Sequence, residues 1–168
     1  MAKDGPRAAA IGDVDEANSA IGLALLHVED ETQRRRLTAV QNELFDLGAD
    51  LATPGEDFAP SQMALRIVQR QIDRLEAEID AMNEALEPLR SFILPGGGAA
   101  AAHLHLARAI ARRAERSAVA ASREMALNPL ALVYLNRLSD WLFVLARLAA
   151  KANGGDVLWE PGATRNAD

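Results

Sequence analysis

The sequence predicts an all-α protein built as a bundle of about five helices. Apolar residues recur at steps of three and four along most of the chain, which is the period of a helix buried on one face. Hydrophobic residues make up 49% of the chain and aromatic residues only 4%, so the core must consist mainly of Leu, Ile, Val and Ala, which suits closely packed helices. No run of β-branched residues bounded by turns competes with this pattern. The length fits one domain over residues 1–168, with helices over about 13–152 and a short tail at 153–168.

The first two helices are defined by a capping pattern and by a break. Asp13 and Glu16, three residues apart, resemble a capping box, which predicts a first helix over about 13–29. The second helix is predicted to end at the sequence TPGED, where Pro54 and Gly55 interrupt the helical period. Its apolar positions are Leu37, Val40, Leu44, Leu47 and Leu51.

The third helix is predicted from Pro60 to the residue before Pro88. Its apolar positions alternate steps of three and four without an error, which is a heptad seam. They are Leu65, Val68, Ile72, Leu75, Ile79, Met82 and Leu86.

A glycine-rich loop, SFILPGGGAA, precedes the fourth helix, which is predicted over about 99–125. The three glycines of this loop suit tight turns or a close approach of the backbone to a ligand. Asn128 and Pro129 have the character of an N-cap and a first helical residue, so the fifth helix is predicted over about 129–152. Asn153, Gly154 and Gly155 are predicted to end it.

Charge and composition exclude several classes of protein. The formal net charge is −6 and the pI is about 5.1, which argues against general nucleic-acid binding because that needs a broad basic face. The chain has no cysteine, which excludes a disulfide scaffold and thiolate metal sites. No segment approaches the ~20 unbroken apolar residues of a membrane span, and the N-terminal sequence lacks the apolar core of a secretory signal. We therefore expect a soluble cytoplasmic protein without nucleic-acid or membrane partners.

The fourth helix has two different faces. One is an apolar stripe, mostly of alanine, that would let a neighbouring helix approach closely: Leu104, Ala107, Ala111, Ala114 and Ala118. The other is a polar row of His105, Arg108, Arg112 and Glu115. The fifth helix carries a comparable row of Asn136, Asp140, Phe143 and Arg147.

Two interpretations of these polar rows are open from the residues alone. The rows can be a solvated face with intrahelical ion pairs, such as Glu115 with Arg112, each worth about 0.2–0.5 kcal/mol. They can also form an anion site. The chain has only two lysines, Lys3 and Lys151, and Arg is the residue that binds phosphate or carboxylate with two parallel hydrogen bonds.

Other candidate sites are weak. His103 and His105 would point to different sides of a helix, so we expect packing roles and no metal site, and His27 has no partner in the sequence. The Glu-x-x-His pairs of di-iron bundles are absent from the sequence. Gly96, Gly97 and Gly98 are followed by no Lys-Ser/Thr, so they do not form a P-loop. Trp141 is expected in the core, and Trp159 is a candidate stacking residue.

Three separated blocks of the sequence resemble the PduO-type ATP:cob(I)alamin adenosyltransferases. They are VDEANSAIGLA near the start, FILPGGGAAAAHLHLARAIARRAER, and VYLNRLSDWLFVLAR. Their order and their spread over about residues 5–152 make the resemblance specific. It implies a helical bundle of the cobalamin adenosyltransferase type, ferritin-like in architecture, which assembles as a trimer and binds ATP and the corrinoid at subunit interfaces. It also implies transfer of the 5′-deoxyadenosyl group of ATP to the cobalt of cob(I)alamin, with release of triphosphate.

The resemblance also implies roles for individual residues. Arg108, Arg112, Glu115 and Asn136 match the nucleotide-site residues of the family. The two arginines, with Mg²⁺, would stabilise the departing triphosphate, and Glu115 would orient the guanidinium of Arg112. No nucleophilic side chain is expected, because cob(I)alamin is itself the nucleophile.

Two further residues match family positions with different roles. Asp15 matches an acidic residue that pairs across the subunit interface with an arginine, Arg112 in this chain. Phe92 matches the aromatic residue that keeps the lower axial position of the corrinoid empty, so it joins Arg108 and Arg112 as a predicted catalytic residue. A reductase that supplies the substrate and a mutase that receives the product are further implied partners.

The N-terminal sequence departs from the family pattern. Members normally begin with a Thr/Gly-rich segment of the type TRTGD-x-G-x-T that wraps the triphosphate, whereas this sequence begins MAKDGPRAAAIGD. A displaced gene start, a truncation and a loss of adenosyl transfer are all compatible with this difference. If the loop is lost, we expect weak ATP binding with corrinoid binding less affected, and the alternative function is a non-catalytic corrinoid-binding or carrier oligomer.

Overall fold

Five helices account for most of the chain in the computed structural model, which describes residues 2–165. They are α1 (Pro6–Leu25), α2 (Glu31–Ala52), α3 (Gln69–Asn83), α4 (Ala99–Ser122) and α5 (Pro129–Lys151). The most extensive contact joins α1 to α4, and α5 packs against both α4 and α3. The only β pairing within residues 2–165 is an isolated bridge between Ile93 and Leu158. The prediction of an all-α bundle is therefore confirmed.

Helix α1 begins earlier than predicted. Pro6 is its first residue and Gly5 is the N-cap, without a side-chain hydrogen bond. The proposed capping box is wrong, because Asp13 and Glu16 lie inside the helix and both pair with Arg113 of α4. These two carboxylates hold α1 to α4 rather than begin a helix.

Helix α2 follows its predicted course. The side chain of Asp30 accepts a hydrogen bond from the backbone N–H of Gln33 (2.8 Å) and caps the N-terminus. The helix ends at Ala52, immediately before the TPG sequence. The predicted apolar face is buried, so this element is confirmed.

Helix α3 is much shorter than predicted, and its start at Pro60 is wrong. Tertiary hydrogen bonds hold the residues before Gln69 in a non-helical path. The buried carboxylate of Asp50 accepts hydrogen bonds from the backbone N–H of Ile67 (2.8 Å) and from the guanidinium of Arg66 (2.8 Å). Asn128 donates to the same carboxylate (2.7 Å). Leu65 is consequently exposed rather than part of a packed seam.

The alanine stripe of α4 is completely buried, which confirms its prediction as core. Its small side chains allow α1 and α5 to approach closely. The start of α5 is also confirmed, because the Asn128 side chain accepts a hydrogen bond from the N–H of Leu130 and Pro129 is the first helical residue. Trp141 lies in the core as expected.

Loop 91–98 and the end of α5 lie side by side. Gly97 and Gly98 have φ angles of 93° and 100°, in the region that favours glycine. A Cβ atom on Gly97 would lie 2.6 Å from the Cβ of Ala150, so a side chain there would collide with α5. The glycines therefore allow the loop to approach α5 closely, whereas an approach of this loop to a ligand stays a prediction. None of the helices within residues 2–165 is long and apolar enough to cross a membrane.

Candidate functional site

The polar rows of α4 and α5 meet through a hydrogen bond between Glu115 and Asn136. The Asn136 side-chain amide donates to Glu115 Oε1 (2.9 Å). Arg137 then donates to Asn136 Oδ1 (2.7 Å) and to Asp140 Oδ2 (2.8 Å). The structure therefore brings two predicted nucleotide-site residues together and adds Arg137, which the sequence analysis did not select.

The predicted ion pair between Glu115 and Arg112 is wrong for the single chain. Glu115 is engaged by Asn136 on the neighbouring helix, and Arg112 is exposed. Neither Arg112 nor Arg108 forms an ion pair or a side-chain hydrogen bond with any other residue in 2–165. An arginine without a carboxylate partner keeps all five of its N–H donors free for an anion.

Arg108 lies at the boundary between the polar row and an apolar cavity. It is half-buried, and its guanidinium carbon lies 5.2 Å from the centroid of the Phe143 ring, within the range of a cation–π contact. Burial lowers the pKa of Arg108, the positive charge of Arg112 lowers it further, and Asp140 opposes the change. Arginine nevertheless stays protonated, so Arg108 is a partly desolvated cation that an anion would stabilise.

The cavity beside Arg108 has a volume of about 600 Å³. Phe92 and Phe143 give it two aromatic walls. The other lining residues come from the loop after α3 and from α4: Leu89, Ser91, Ile93, Pro95, His105, Arg108 and Ala109. Phe92 is 78% exposed, which is unusual for an aromatic side chain that serves only to fold the protein.

His105 forms part of the floor of this cavity. It is buried and meets the edge of the Phe143 ring, with ring centroids 6.2 Å apart. Burial lowers the pKa of His105 from its usual value of 6.5, and the charge of Arg108 lowers it further, while Asp156 acts in the opposite direction. The imidazole is therefore neutral at pH 7.

The C-terminal segment holds Phe92 in place. The N–H of Trp159 donates to the carbonyl of Phe92 (2.8 Å), and the N–H of Leu94 donates to the carbonyl of Val157 (2.7 Å). The Trp159 ring meets Phe92 edge to face at 5.9 Å. Trp159 therefore contacts Phe92 edge to face, and its predicted role in stacking stays a prediction.

The remaining predicted residues divide between packing and the surface. His103 stacks on His27 with ring centroids 4.8 Å apart, on a different side of α4 from His105, so the expected packing role is confirmed. Within residues 2–165, no three His, Cys, Asp or Glu side chains form a group that could hold a metal. Asp15 is exposed on α1, beside Phe45 of α2. Its pairing with Arg112 of another subunit stays a prediction.

Sequence comparison identifies the relationship of this chain to known proteins. The cobalamin adenosyltransferase family model matches residues 1–149. The chain is 50% identical over 170 residues to the corrinoid adenosyltransferase of Mycobacterium tuberculosis, and the match covers 99% of this chain and 86% of the relative. It is 44% identical to the corrinoid adenosyltransferase PduO of Salmonella typhimurium, over 88% of this chain and 43% of that protein.

Structural comparison gives the same relationship. A variant of the PduO-type ATP:corrinoid adenosyltransferase from Lactobacillus reuteri, complexed with cobalamin and ATP, superposes with a TM-score of 0.87 and 38% sequence identity. The superposition covers 95% of this chain and 89% of that one. Together with the aromatic cavity, the unpaired arginines beside it and the family match over most of the chain, these similarities lead to one assignment. This chain belongs to the cobalamin adenosyltransferase family.

Proposed function

We propose that this protein transfers the 5′-deoxyadenosyl group of ATP to the cobalt of cob(I)alamin, forming adenosylcobalamin and triphosphate. The observation that carries the proposal is the junction at Arg108, where an aromatic-walled cavity of about 600 Å³ adjoins a polar row on the same face of α4 and α5. A corrinoid needs an apolar wall and ATP needs cationic and hydrogen-bonding groups. The two substrates can therefore meet at one boundary.

The reaction requires placement more than side-chain chemistry. The cobalt of cob(I)alamin supplies the electron pair that forms the Co–C bond, and the bond between the 5′ carbon and the triphosphate oxygen breaks with its electrons going to the triphosphate. Arg108 and Arg112 are positioned on successive turns of α4 to receive that growing charge. Their lack of a carboxylate partner within residues 2–165 supports this role, because no competing anion must be displaced.

Glu115 and Asn136 are assigned to the nucleotide side of the site. Their mutual hydrogen bond fixes the orientation of both side chains, and it leaves the second oxygen of Glu115 and the second amide N–H of Asn136 for the nucleotide. Mg²⁺ prefers oxygen ligands and keeps several of its waters, so it would bind through ATP and would help the arginines to stabilise the departing triphosphate.

Phe92 is assigned to the lower face of the corrinoid. Its exposed ring can occupy the side from which the lower nitrogen ligand would approach cobalt, and an apolar ring also keeps water from replacing that ligand. Loss of the lower ligand makes reduction to cob(I)alamin easier. A reductase would supply this reduced substrate, and a mutase would use the product.

We further propose a homotrimer in which Asp15 contacts Arg112 of a neighbouring copy. The support is Phe45, an aromatic side chain that is 73% exposed and lines a polar groove together with Asp15 and Ser19. A large exposed apolar side chain at a polar groove is typical of a contact surface.

The direct test is anaerobic incubation with ATP, Mg²⁺ and chemically reduced cobalamin. The expected result is conversion of the cob(I)alamin absorption spectrum to that of an alkylcobalamin, with one triphosphate released per corrinoid. Phe92→Ala is expected to slow transfer at least tenfold. The matched control is Met63→Ala, which truncates a side chain 96% exposed in the loop between α2 and α3. Corrinoid binding without transfer by the wild-type protein would instead support the non-catalytic carrier.

A further inference from the structure

After α5 ends, a short C-terminal strap, residues 156–159, runs back along loop 91–94, which lines the cavity. The reversal occurs at Gly154 and Gly155, whose φ angles are 92° and 98°, a conformation that is strained for other residues. The N–H of Gly155 donates to the carbonyl of Ala150 (2.9 Å) and closes the end of the helix. The chain is thereby directed back toward loop 91–94, which carries Phe92.

The strap and the loop form a minimal two-stranded contact. Besides the backbone bonds of Leu94 and Trp159 described above, the Ser91 hydroxyl donates to the carbonyl of Trp159 (3.1 Å). The strap's apolar side chains remain about half exposed, so little apolar burial holds it. An isolated pair of strands is marginally stable in water, and a further anchor is needed to fix this one.

That anchor is the ion pair between Arg147 and Asp156. Arg147 Nε donates to Asp156 Oδ2 (2.9 Å), and Arg147 Nη2 donates to the carbonyl of Glu87 (2.8 Å). The guanidinium therefore joins α5, the strap and the segment after α3 that contains Glu87. Both side chains are largely removed from water, where loss of one partner leaves an uncompensated charge.

We infer that Arg147 and Asp156 are positioning residues for the corrinoid site: their ion pair fixes the strap, and the strap fixes Phe92. Neither residue lines the cavity, so the effect is transmitted through the backbone of residues 156–159. The strap lies beyond residues 1–149, which the family model matches. The inference rests on the proposed function for its corrinoid part, whereas the link between the ion pair and the strap concerns structure alone.

The test uses the full chain with Asp156→Asn, and Glu160→Gln as the matched control. Glu160 lies in the same segment and its carboxylate has no hydrogen bond or ion pair with other residues in 2–165. Trp159 reports on the strap, because the other tryptophan, Trp141, is fully buried. Asp156→Asn is expected to increase acrylamide quenching of Trp159 at least twofold, and Glu160→Gln is expected to match the wild type.

The second measurement is substrate binding by the same variants. With ATP present, Asp156→Asn is expected to bind cob(II)alamin at least fivefold more weakly and to lose the absorption signature of the corrinoid without a lower ligand. ATP affinity is expected to stay within twofold of the wild type. A merely stabilising ion pair would leave this spectral signature unchanged once the protein is folded. Wild-type quenching and wild-type corrinoid spectra in folded Asp156→Asn would overturn the inference.

A second variant keeps the inference testable if Asp156→Asn does not fold. Trp159→Ala leaves the ion pair intact and removes a side chain that is only half-buried. Its corrinoid signature is expected to weaken in the same way, with ATP affinity unchanged, and an unchanged signature would overturn the role of the strap. Failure of the proposed function is distinguishable, because the wild type itself would then not transfer the adenosyl group, while the quenching experiment would still test the link between the ion pair and the strap.

Discussion

Arg66 and the pair Arg108 and Arg112 lie in two regions of this protein with different surroundings. Between α2 and α5, Arg66 is 6% exposed and binds the carboxylate of Asp50 and the carbonyl of Asp57. On the outer face of α4, Arg108 is also partly buried but contacts only an aromatic ring, and Arg112 is exposed. The comparison teaches that arginine content alone does not indicate an anion site; the carboxylate partners distinguish a structural arginine from one that is free to bind a ligand.

Arg74 confirms the first pattern at the α2–α3 contact. It forms ion pairs with Glu43 (2.6 Å) and Glu78 (2.8 Å). These acids also accept hydrogen bonds from Tyr134 (2.6 Å) and from the Trp141 ring N–H (2.8 Å) of α5. Three helices are therefore joined through one network, in which two carboxylates hold the guanidinium of Arg74.

The largest effect is expected where a buried arginine would lose its partner. Asp50→Ala removes the carboxylate acceptor for Arg66, Ile67 and Asn128 and leaves the buried guanidinium without a counter-charge, at a cost of about 3–5 kcal/mol in the free energy of unfolding. Denaturant unfolding measures this. The control is Glu31→Ala, which removes an exposed partner of Arg34 at 4.0 Å and should cost less than about 1 kcal/mol. Equal losses in both variants would remove the distinction between buried and exposed pairs.

The next effect concerns the arginine without a partner. Arg112→Ala is expected to slow adenosyl transfer at least tenfold, about 1.4 kcal/mol on the barrier, with no loss of folding stability. Arg112→Lys should not restore the rate, because an ammonium group cannot replace the planar fork of donors. Steady-state kinetics against Arg123→Ala, an exposed arginine at the end of the same helix, measures this. Wild-type rates in the lysine variant would support the other interpretation, in which Arg112 belongs to a solvated face and does not bind the leaving group.

A smaller effect is expected if a second copy of the chain supplies a partner for Arg112. Asp15→Asn should then weaken ATP binding or the trimer, because the carboxylate that orients the guanidinium is lost. Sedimentation velocity and ATP titration measure the two effects, with Asp80→Asn on the exposed face of α3 as the control. Normal ATP binding and a normal trimer in Asp15→Asn would contradict the proposed pairing between subunits.

The smallest effect is a pH dependence from His105, which lies beside Arg108. Its native pKa is lowered by burial and by the Arg108 charge, so the unfolded chain binds the proton more tightly. The contribution of His105 to stability is complete above pH 6.5, the usual value, and is lost as the pH falls below it toward the native pKa. The free energy of unfolding in urea should be measured as a function of pH for the wild type and for His105→Phe. The two pH dependences should differ in slope only in that range. Parallel curves would contradict a buried neutral imidazole.

Sequence reasoning succeeded where a helix is defined by local signals. The buried alanine stripe of α4 and the Asn128–Pro129 start of α5 follow from period and capping alone, and both were predicted. The start of α1 was predicted wrongly, because the spacing of Asp13 and Glu16 resembles a capping box although both carboxylates bind Arg113 of α4. The helix begins at Pro6 instead.

Features that depend on distant residues could not be predicted in this way. The helical period continues through Leu65 and Val68, but the Asp50 carboxylate of another helix binds Ile67 and prevents a helix there. The same holds for the site. Phe92 was predicted from the resemblance to the family. Its contact with Trp159 could not be predicted, and neither could the Arg147–Asp156 pair, because both depend on a chain reversal that helical periodicity does not indicate.

The most direct test of the central claim compares stability with and without ATP in one double variant, Arg108→Met with Arg112→Met, which removes both charges and keeps the apolar stems. In the absence of ATP, its free energy of unfolding should lie within about 0.5 kcal/mol of the wild type, because no carboxylate is left unpaired. ATP at one hundred times the wild-type Kd should stabilise the wild type by about 2.7 kcal/mol and the variant by less than half as much. A variant that is strongly destabilised without ATP, yet gains as much from ATP as the wild type, would contradict the account.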